Sequence, residues 1–472
     1  MIARIVALLL GAVLLIGCEQ GGDAGARAPK AEVGRVPATP QRDGDPFRGY
    51  AALLDRAAVP CGLPFVAYAR LSGAHADAAP RLPGRTGRNA ELPYPLTARV
   101  TASGIEVVTS NCLACHATPL DGELIMGLGN PFLDLTADPA IALDRVASKV
   151  VSDAERTEWR RWSEPMQAVA ELTRMATLGT NPGHQITRAL MAHRDPVTLD
   201  WSDTPLLDPP SAPPLPLSIP PWWNLGKKQA LFHNAEGRGD QADHMAIAAL
   251  LCADEIATIA ETQTWLADVR AYLIHLKSPP YPYTIDHALA GRGQRVYRRH
   301  CKGCHGTPGE DGRYRQRVVA LGRVGTDPAL ARQGFGESDR FIQWLQRSPL
   351  GERAWIEPAL GYVAPPLDGV WATAPYLHNG SVPTLASLLD SRARPAYWVF
   401  DAGRGDTPDY DRTELGWAYR SLAHGKDGAM SWDERERIYD TRLLGHGNQG
   451  HTFGDALAET ERLALIEYLK TL

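Results

Sequence analysis

Apolar positions recur every three or four residues in several stretches of the chain, which is the spacing of a helix with one buried face. In the terminal "ETERLALIEYLKTL", Leu465, Tyr468, Leu469 and Leu472 share one face. The segment "HALAGRGQRVYRRH" places Gly293, Val296 and Tyr297 on one side of a helix that runs straight into Cys301. A third stretch, "DVRAYLIHLKSPPYP", carries Tyr272 and Leu273 much as the terminus carries Tyr468 and Leu469. The proline-rich "KSPPYPYT" at 277–284 stops that helix, because proline cannot continue the backbone ladder. Residues 141–178 also read as helical, whereas 203–221, "DTPLLDPPSAPPLPLSIPP", read as extended loop. Alternating β-branched runs are few. The pattern predicts a mostly α fold with long connecting loops.

The N-terminus has a different pattern. "MIARIVALLLGAVLLIGCEQ" joins Arg4, an apolar run from Ile5 to Ile16 and "LIGC" ending at Cys18, which is an export signal whose run falls short of the roughly 20 residues a membrane span needs. The small residue before Cys18 resembles a bacterial lipobox, so residues 1–17 are expected to be removed and Cys18 to carry the lipid anchor. Glu19 stands where Asp would retain a lipoprotein in the inner membrane, and the expected location is the outer membrane, facing the periplasm or the surface. Residues 18–48 are rich in Gly, Ala and Pro and read as a flexible tether. The remaining residues divide into 49–280 and 281–472.

Composition narrows the partners. With 472 residues, 44 % hydrophobic and 22 % charged, the chain is ordinary globular material. A net charge of -5 gives no basic excess to attract nucleic acid.

The chemistry lies in "TSNCLACHATP" and "YRRHCKGCHGTPG", which place Cys112, Cys115 and His116, then Cys301, Cys304 and His305, in the same order and spacing. A zinc ribbon joins two such knuckles across about 15–20 residues, far less than the interval from Cys115 to Cys301. A redox dithiol needs no histidine after its second cysteine. C-x-x-C-H is the attachment motif of c-type haem: two thiols reach two vinyl groups of one porphyrin, and the next histidine meets the iron. Two covalently bound haem c groups follow, in agreement with export. Calcium is the other cofactor considered, and no motif indicates it. Each motif precedes its closing helix at nearly the same interval, Cys112 to Tyr272 and Cys301 to Tyr468, which predicts two tandem cytochrome c-like domains. Cys61 and Cys252 remain, either as a disulfide or as two small buried thiols.

The stretch "PPLDGVWATAPYLHNGSVPTLASLL" (365–389) resembles a signature of the bacterial di-haem cytochrome c peroxidase superfamily, and with Leu367, Gly369 and Trp371 it is most similar to the rubber-oxygenase-like branch. "PPWWNLGKKQALFHNAEGRGD" (220–240) and "GHGNQGHTFGDALAETERLALIEYLKTL" fit the same branch. The resemblance implies one electron-transfer haem and one reactive haem. By it His451, in "GNQGHTF", is the sixth ligand of the second iron, with His446 or Met430 as alternatives, His424 also on offer, and His378 a structural neighbour of the haem edge. Met126, His184, His193, His233 and His244 are candidates at the first iron, none in a distal-ligand motif, so its sixth position reads as open. A haem with an open face binds dioxygen or peroxide, and one held on both faces passes electrons. His116, Trp222, Trp223 and Phe232 are the expected reactive set, the aromatics serving as pocket wall, electron relay or ordinary core; Lys227, Lys228 and Arg238 are candidate propionate partners or solvated charges. The function expected is dioxygen or peroxide activation at the first haem with the second as relay. The alternatives are a pure electron carrier and a haem-based sensor or binding subunit. Small redox carriers or an apolar substrate are the expected partners.

Overall fold

The computed structural model describes residues 34–72, 80–137, 139–404 and 406–472. The export signal and Cys18 lie outside them. Each cysteine motif is braced by a crossed pair of helices. Helix Pro46–Asp55 packs on Ile256–Leu273, and His287–His300 packs on Glu459–Lys470. The crossings are close because glycine allows it: a Cβ on Gly49 would lie 1.9 Å from the Asp268 carbonyl oxygen, and one on Gly293 1.8 Å from that of Ala464. Asp286 caps His287–His300 by accepting from the Leu289 N–H at 2.9 Å, and Arg298 and Arg299 place positive charge at its C-terminal end, where the helix dipole favours it. The helix delivers Cys301 directly, as its apolar face predicts.

The expectation of a mostly α fold built from two tandem cytochrome c-like domains is overturned. Helix accounts for about 40 % and strand for about 13 %, a mixed composition without a clear tandem pattern. The strands escaped the sequence pattern because they are two to five residues long, too short to display alternation. They form small antiparallel sheets, such as Leu63–Pro64, Glu106–Ser110 and Leu96–Val100, or the hairpin Ala117–Leu120 with Glu123–Met126.

Nor does either half keep its own core. Phe341, Trp344, Leu345 and Leu350 pack in one cluster with Leu53, Leu190 and Leu250, while Leu120, Leu128 and Trp223 join Trp371, Leu465 and Leu469 in another. Strand Gly237–Gly239 pairs with Ala354–Ile356 across the halves. Cys61 and Cys252, both fully buried, form a disulfide. The end of the expected tether is instead held against the body: Val36 is buried beside Ala230 and Val318, and Arg42 pairs with Asp240 at 3.2 Å and also with Asp243.

Candidate haem sites

The two motifs fold alike. Leu113–His116 and Lys302–His305 each make one helical turn, in which the histidine N–H donates to the first cysteine's carbonyl at 3.1 Å. The turn gathers two thiols and an imidazole in one place. Burial raises the thiols of Cys112, Cys115 and Cys301 to about 11 and lowers the His116 imidazole to about 3.

The second motif opens into a cavity of about 440 Å³, within the size range of small-molecule and cofactor pockets. Cys301, Cys304 and His305 line it, and His451 faces them. The His305 Nδ1–H donates to the Pro365 carbonyl at 2.8 Å, which leaves the Nε2 lone pair for a metal. The centroids of the two imidazoles are 6.2 Å apart, their planes inclined by 68°. Imidazole nitrogens bind metals at about 2 Å, so two rings sharing one iron bring their centroids to about this distance. Burial, then the neighbouring His305 and Arg394, lowers His451 to about 3, and burial lowers His305; both imidazoles are neutral, as ligands must be. His451 sits at φ +48° on a loop clamped by Arg394, whose guanidinium donates to the carbonyls of Asn448 and Gly450, each at 2.7 Å, and of His451 at 3.3 Å. The rest of the lining is largely apolar, including Leu385, Leu389, Leu465 and Leu469. Thiols, opposed imidazoles and an apolar slot fit a c-type haem.

The other candidates for that sixth position lie elsewhere, except His378. His446 bonds Thr177 at 3.3 Å and the Leu444 carbonyl at 3.0 Å. His424 bonds the Gly425 carbonyl at 3.1 Å. Met430 is 92 % exposed. His378 lines the cavity with its ring stacked on Tyr362 at 4.0 Å.

At the first motif, the His116 ring stacks on Trp222 at 4.5 Å. Met126 is opposite Ala117 in the hairpin that follows His116, its sulfur accepting from the Tyr272 hydroxyl at 3.7 Å. His193 bonds the Ser202 carbonyl, and His244 that of Arg238. His184 lies 3.4 Å from Glu236, and His233 lines the second cavity. The expected reactive set is not one pocket: Trp222 meets His116, Trp223 donates to the Asp368 carbonyl at 2.7 Å, and Phe232 meets His184 and His244. Lys227 pairs with Asp368 at 2.6 Å and Arg238 with Glu357 at 3.6 Å, while Lys228 lines the second cavity.

The segment 218–228 is a shared wall. Trp222 and the Pro220 carbonyl face His116, while Ser218, Pro221, Asn224 and Lys228 face the second cavity. Sequence reasoning missed the carbonyl partner of His305, although the proline doublet at 365–366 marks it. Among the described residues, no group of three His, Cys, Asp or Glu side chains is placed to hold a bare metal ion.

Residues 361–399 match the RoxA-like, cytochrome c-like family, and they form the cavity wall that carries Tyr362, Pro365, Tyr376 and His378. The match supports the rubber-oxygenase-like cytochrome branch and a haem cytochrome with haem c as cofactor. Two proteins of Sinorhizobium fredii (strain NBRC 101917 / NGR234) are similar over longer stretches. The uncharacterized protein y4iM is 34 % identical over 241 residues, 43 % of this chain and 53 % of that protein. The uncharacterized protein y4iJ is 31 % identical over 264 residues, 42 % and 41 % of the respective chains. The chain spans about half the length of these relatives.

Proposed function

We propose that this haem cytochrome holds two haem c groups, through Cys112, Cys115 and His116 and through Cys301, Cys304 and His305, and activates dioxygen or peroxide at the first with the second as electron relay. The observation that carries the reading is the pair His305 and His451, opposed at 6.2 Å across a cavity whose wall, at Pro220, also faces His116. When bound, the haem supplies a one-electron couple and, where a face is open, a site for an exogenous ligand. The chain does the rest. His305 and His451 close both faces of the second site, which suits electron transfer. Pro365 holds the His305 proton on Nδ1. Trp222 and Trp223, adjacent in sequence, reach in opposite directions, one to His116 and the other to Asp368. At the first site, among the described residues, no candidate histidine ring is opposed to His116 as His451 is to His305, and this favours an exchangeable position there. Kinship with di-haem peroxidases, export, a lipid at Cys18, an outer-membrane location and small redox carriers or an apolar substrate as partners belong to the same proposal.

Mass spectrometry and haem staining of the exported protein should show two thioether-bound haems, and Cys301→Ala with Cys304→Ala should remove one. A single haem in the wild type rejects the two-centre reading. Protein with both haems that binds no exogenous ligand in any redox state is an electron carrier instead.

A further inference from the structure

The mouth of the second cavity is ringed by positive charge. Between residues 292 and 332 the chain carries ten Lys and Arg against Glu310, Asp311 and Asp327, an excess of seven on a chain whose net charge is -5. Among the described residues none of the ten forms an ion pair, whereas Arg56, Arg156 and Arg420 each have a carboxylate partner. Of the three acids, Glu310 is taken by Lys277, and Asp327 accepts the Ala329 and Gly447 N–H groups at 2.9 and 3.0 Å. Arg299 and Arg323 line the cavity yet are exposed, which puts them at its mouth. Half-buried Arg317 lines it too and donates to the Gly303 carbonyl at 3.3 Å, beside Lys302 in the attachment turn. Exposed Arg35 extends the ring. Its backbone is paired antiparallel with that of Arg317, the Val36 N–H donating to the Gln316 carbonyl at 2.8 Å and the Val318 N–H to the Gly34 carbonyl at 3.0 Å. Two arginines are thus set directly opposite each other, where like charges are destabilising unless an anion lies against both. A haem held by Cys301 and Cys304 brings one pair of carboxylates, which leaves most of the ring unanswered. Phe453 also lines the cavity and is 41 % exposed.

We propose that this ring docks on an anionic lipid surface, with the mouth of the second cavity and Phe453 turned toward the bilayer. Two observations favour lipid over an acidic protein. The chain from Cys18 joins the folded body at Gly34–Val36, inside the ring itself, only 16 residues after Cys18, so the tethered face and the basic face are the same. An exposed aromatic within a basic rim is also the composition of an interfacial binding surface. The inference rests on the export and lipid reading above and adds to it the face that meets the membrane. A lipid at Cys18 fixes distance, whereas the ring fixes orientation.

The test uses haem-loaded protein exported with residues 1–18 exchanged for a cleavable secretory leader, so that no lipid contributes. It should float with vesicles of equal phosphatidylcholine and phosphatidylglycerol and not with phosphatidylcholine alone. Salt should release it, because screening shortens to about 3 Å at 1 M. Arg35→Gln, Arg317→Gln and Arg323→Gln together should weaken binding about a hundredfold, at about fivefold for each charge removed. Arg56→Gln, Arg156→Gln and Arg420→Gln together remove as many charges from outside the ring and should bind like the parent. No preference for the anionic vesicles, or equal weakening by both triple variants, overturns the inference. Protein that ignores vesicles, yet whose ring variant is reduced more slowly by an acidic carrier protein, assigns the ring to a protein partner and overturns it too. Should the ring variant fail to fold, salt-insensitive flotation of the parent still refutes it. An unmodified Cys18 in mass spectra of the wild type would overturn the anchor alone, because the vesicle assay runs without it.

Discussion

His451 differs from the chain's other candidate ligands in that its ring is opposed to His305 across the cavity, whereas His378 is stacked on Tyr362. Its backbone is in the left-handed region, its loop is tied to Arg394, and its ring looks across the cavity at His305. His451→Ala should therefore leave both thioether attachments intact and give the reduced protein a new carbon monoxide band. His446→Ala should not, because its ring is spent on Thr177 and Leu444 outside the cavity. A carbon monoxide titration decides, and no new band in His451→Ala removes His451 as ligand. The two C-x-x-C-H motifs were legible in the chain because their three groups are adjacent in sequence. Around His116, Trp222 was named from the sequence, but that Trp223 and Phe232 turn to other partners is decided only by the fold.

Helices were read well where a face is regularly apolar, as in His287–His300 and Glu459–Lys470. Their crossing is set by a missing side chain. Gly293→Val drives two branched carbons toward the Ala464 carbonyl, and overpacking of this kind costs about 1–3 kcal/mol. Gly291 is on the same helix, and a Cβ added there would meet nothing within 4 Å. Its replacement by Ala should instead gain roughly 0.5–1 kcal/mol from helix propensity. Thermal melts of the two variants should move in opposite directions, and a neutral Gly293→Val would contradict the close crossing. Strands such as Gly237–Gly239 are specified by the partner across the ladder, here Ala354–Ile356, and short glycine-rich segments announce nothing on their own.

At the scale of the molecule, the halves share cores. A fragment of residues 281–472 would lose Leu120, Leu128 and Trp223 from around Trp371 and Leu465. We expect one cooperative thermal transition for the whole protein and none for the fragment; a fragment that melts cooperatively would restore an independent unit. Acid is the second test. Burial lowers His184, His233 and His446 to about 4 in the folded chain, against about 6.5 when unfolded. Between those values the unfolded state binds more protons, so their contribution is complete above about 6.5 and is lost as pH falls toward 4. The loss should be on the order of 10 kcal/mol in all. Urea midpoints at pH 7.5 and pH 5 measure it, and equal midpoints would mean that these rings are solvated.

Local order was enough for the two C-x-x-C-H turns and the helices beside them, because each is written in residues a few positions apart, whereas the histidine loop near the C-terminus was read from a family resemblance. The disulfide between Cys61 and Cys252, the wall at 218–228 and the merging of two expected domains were decided by tertiary structure. Each depends on side chains far apart in sequence meeting in a dry interior, where burial removes the water that would otherwise answer their charges and hydrogen bonds.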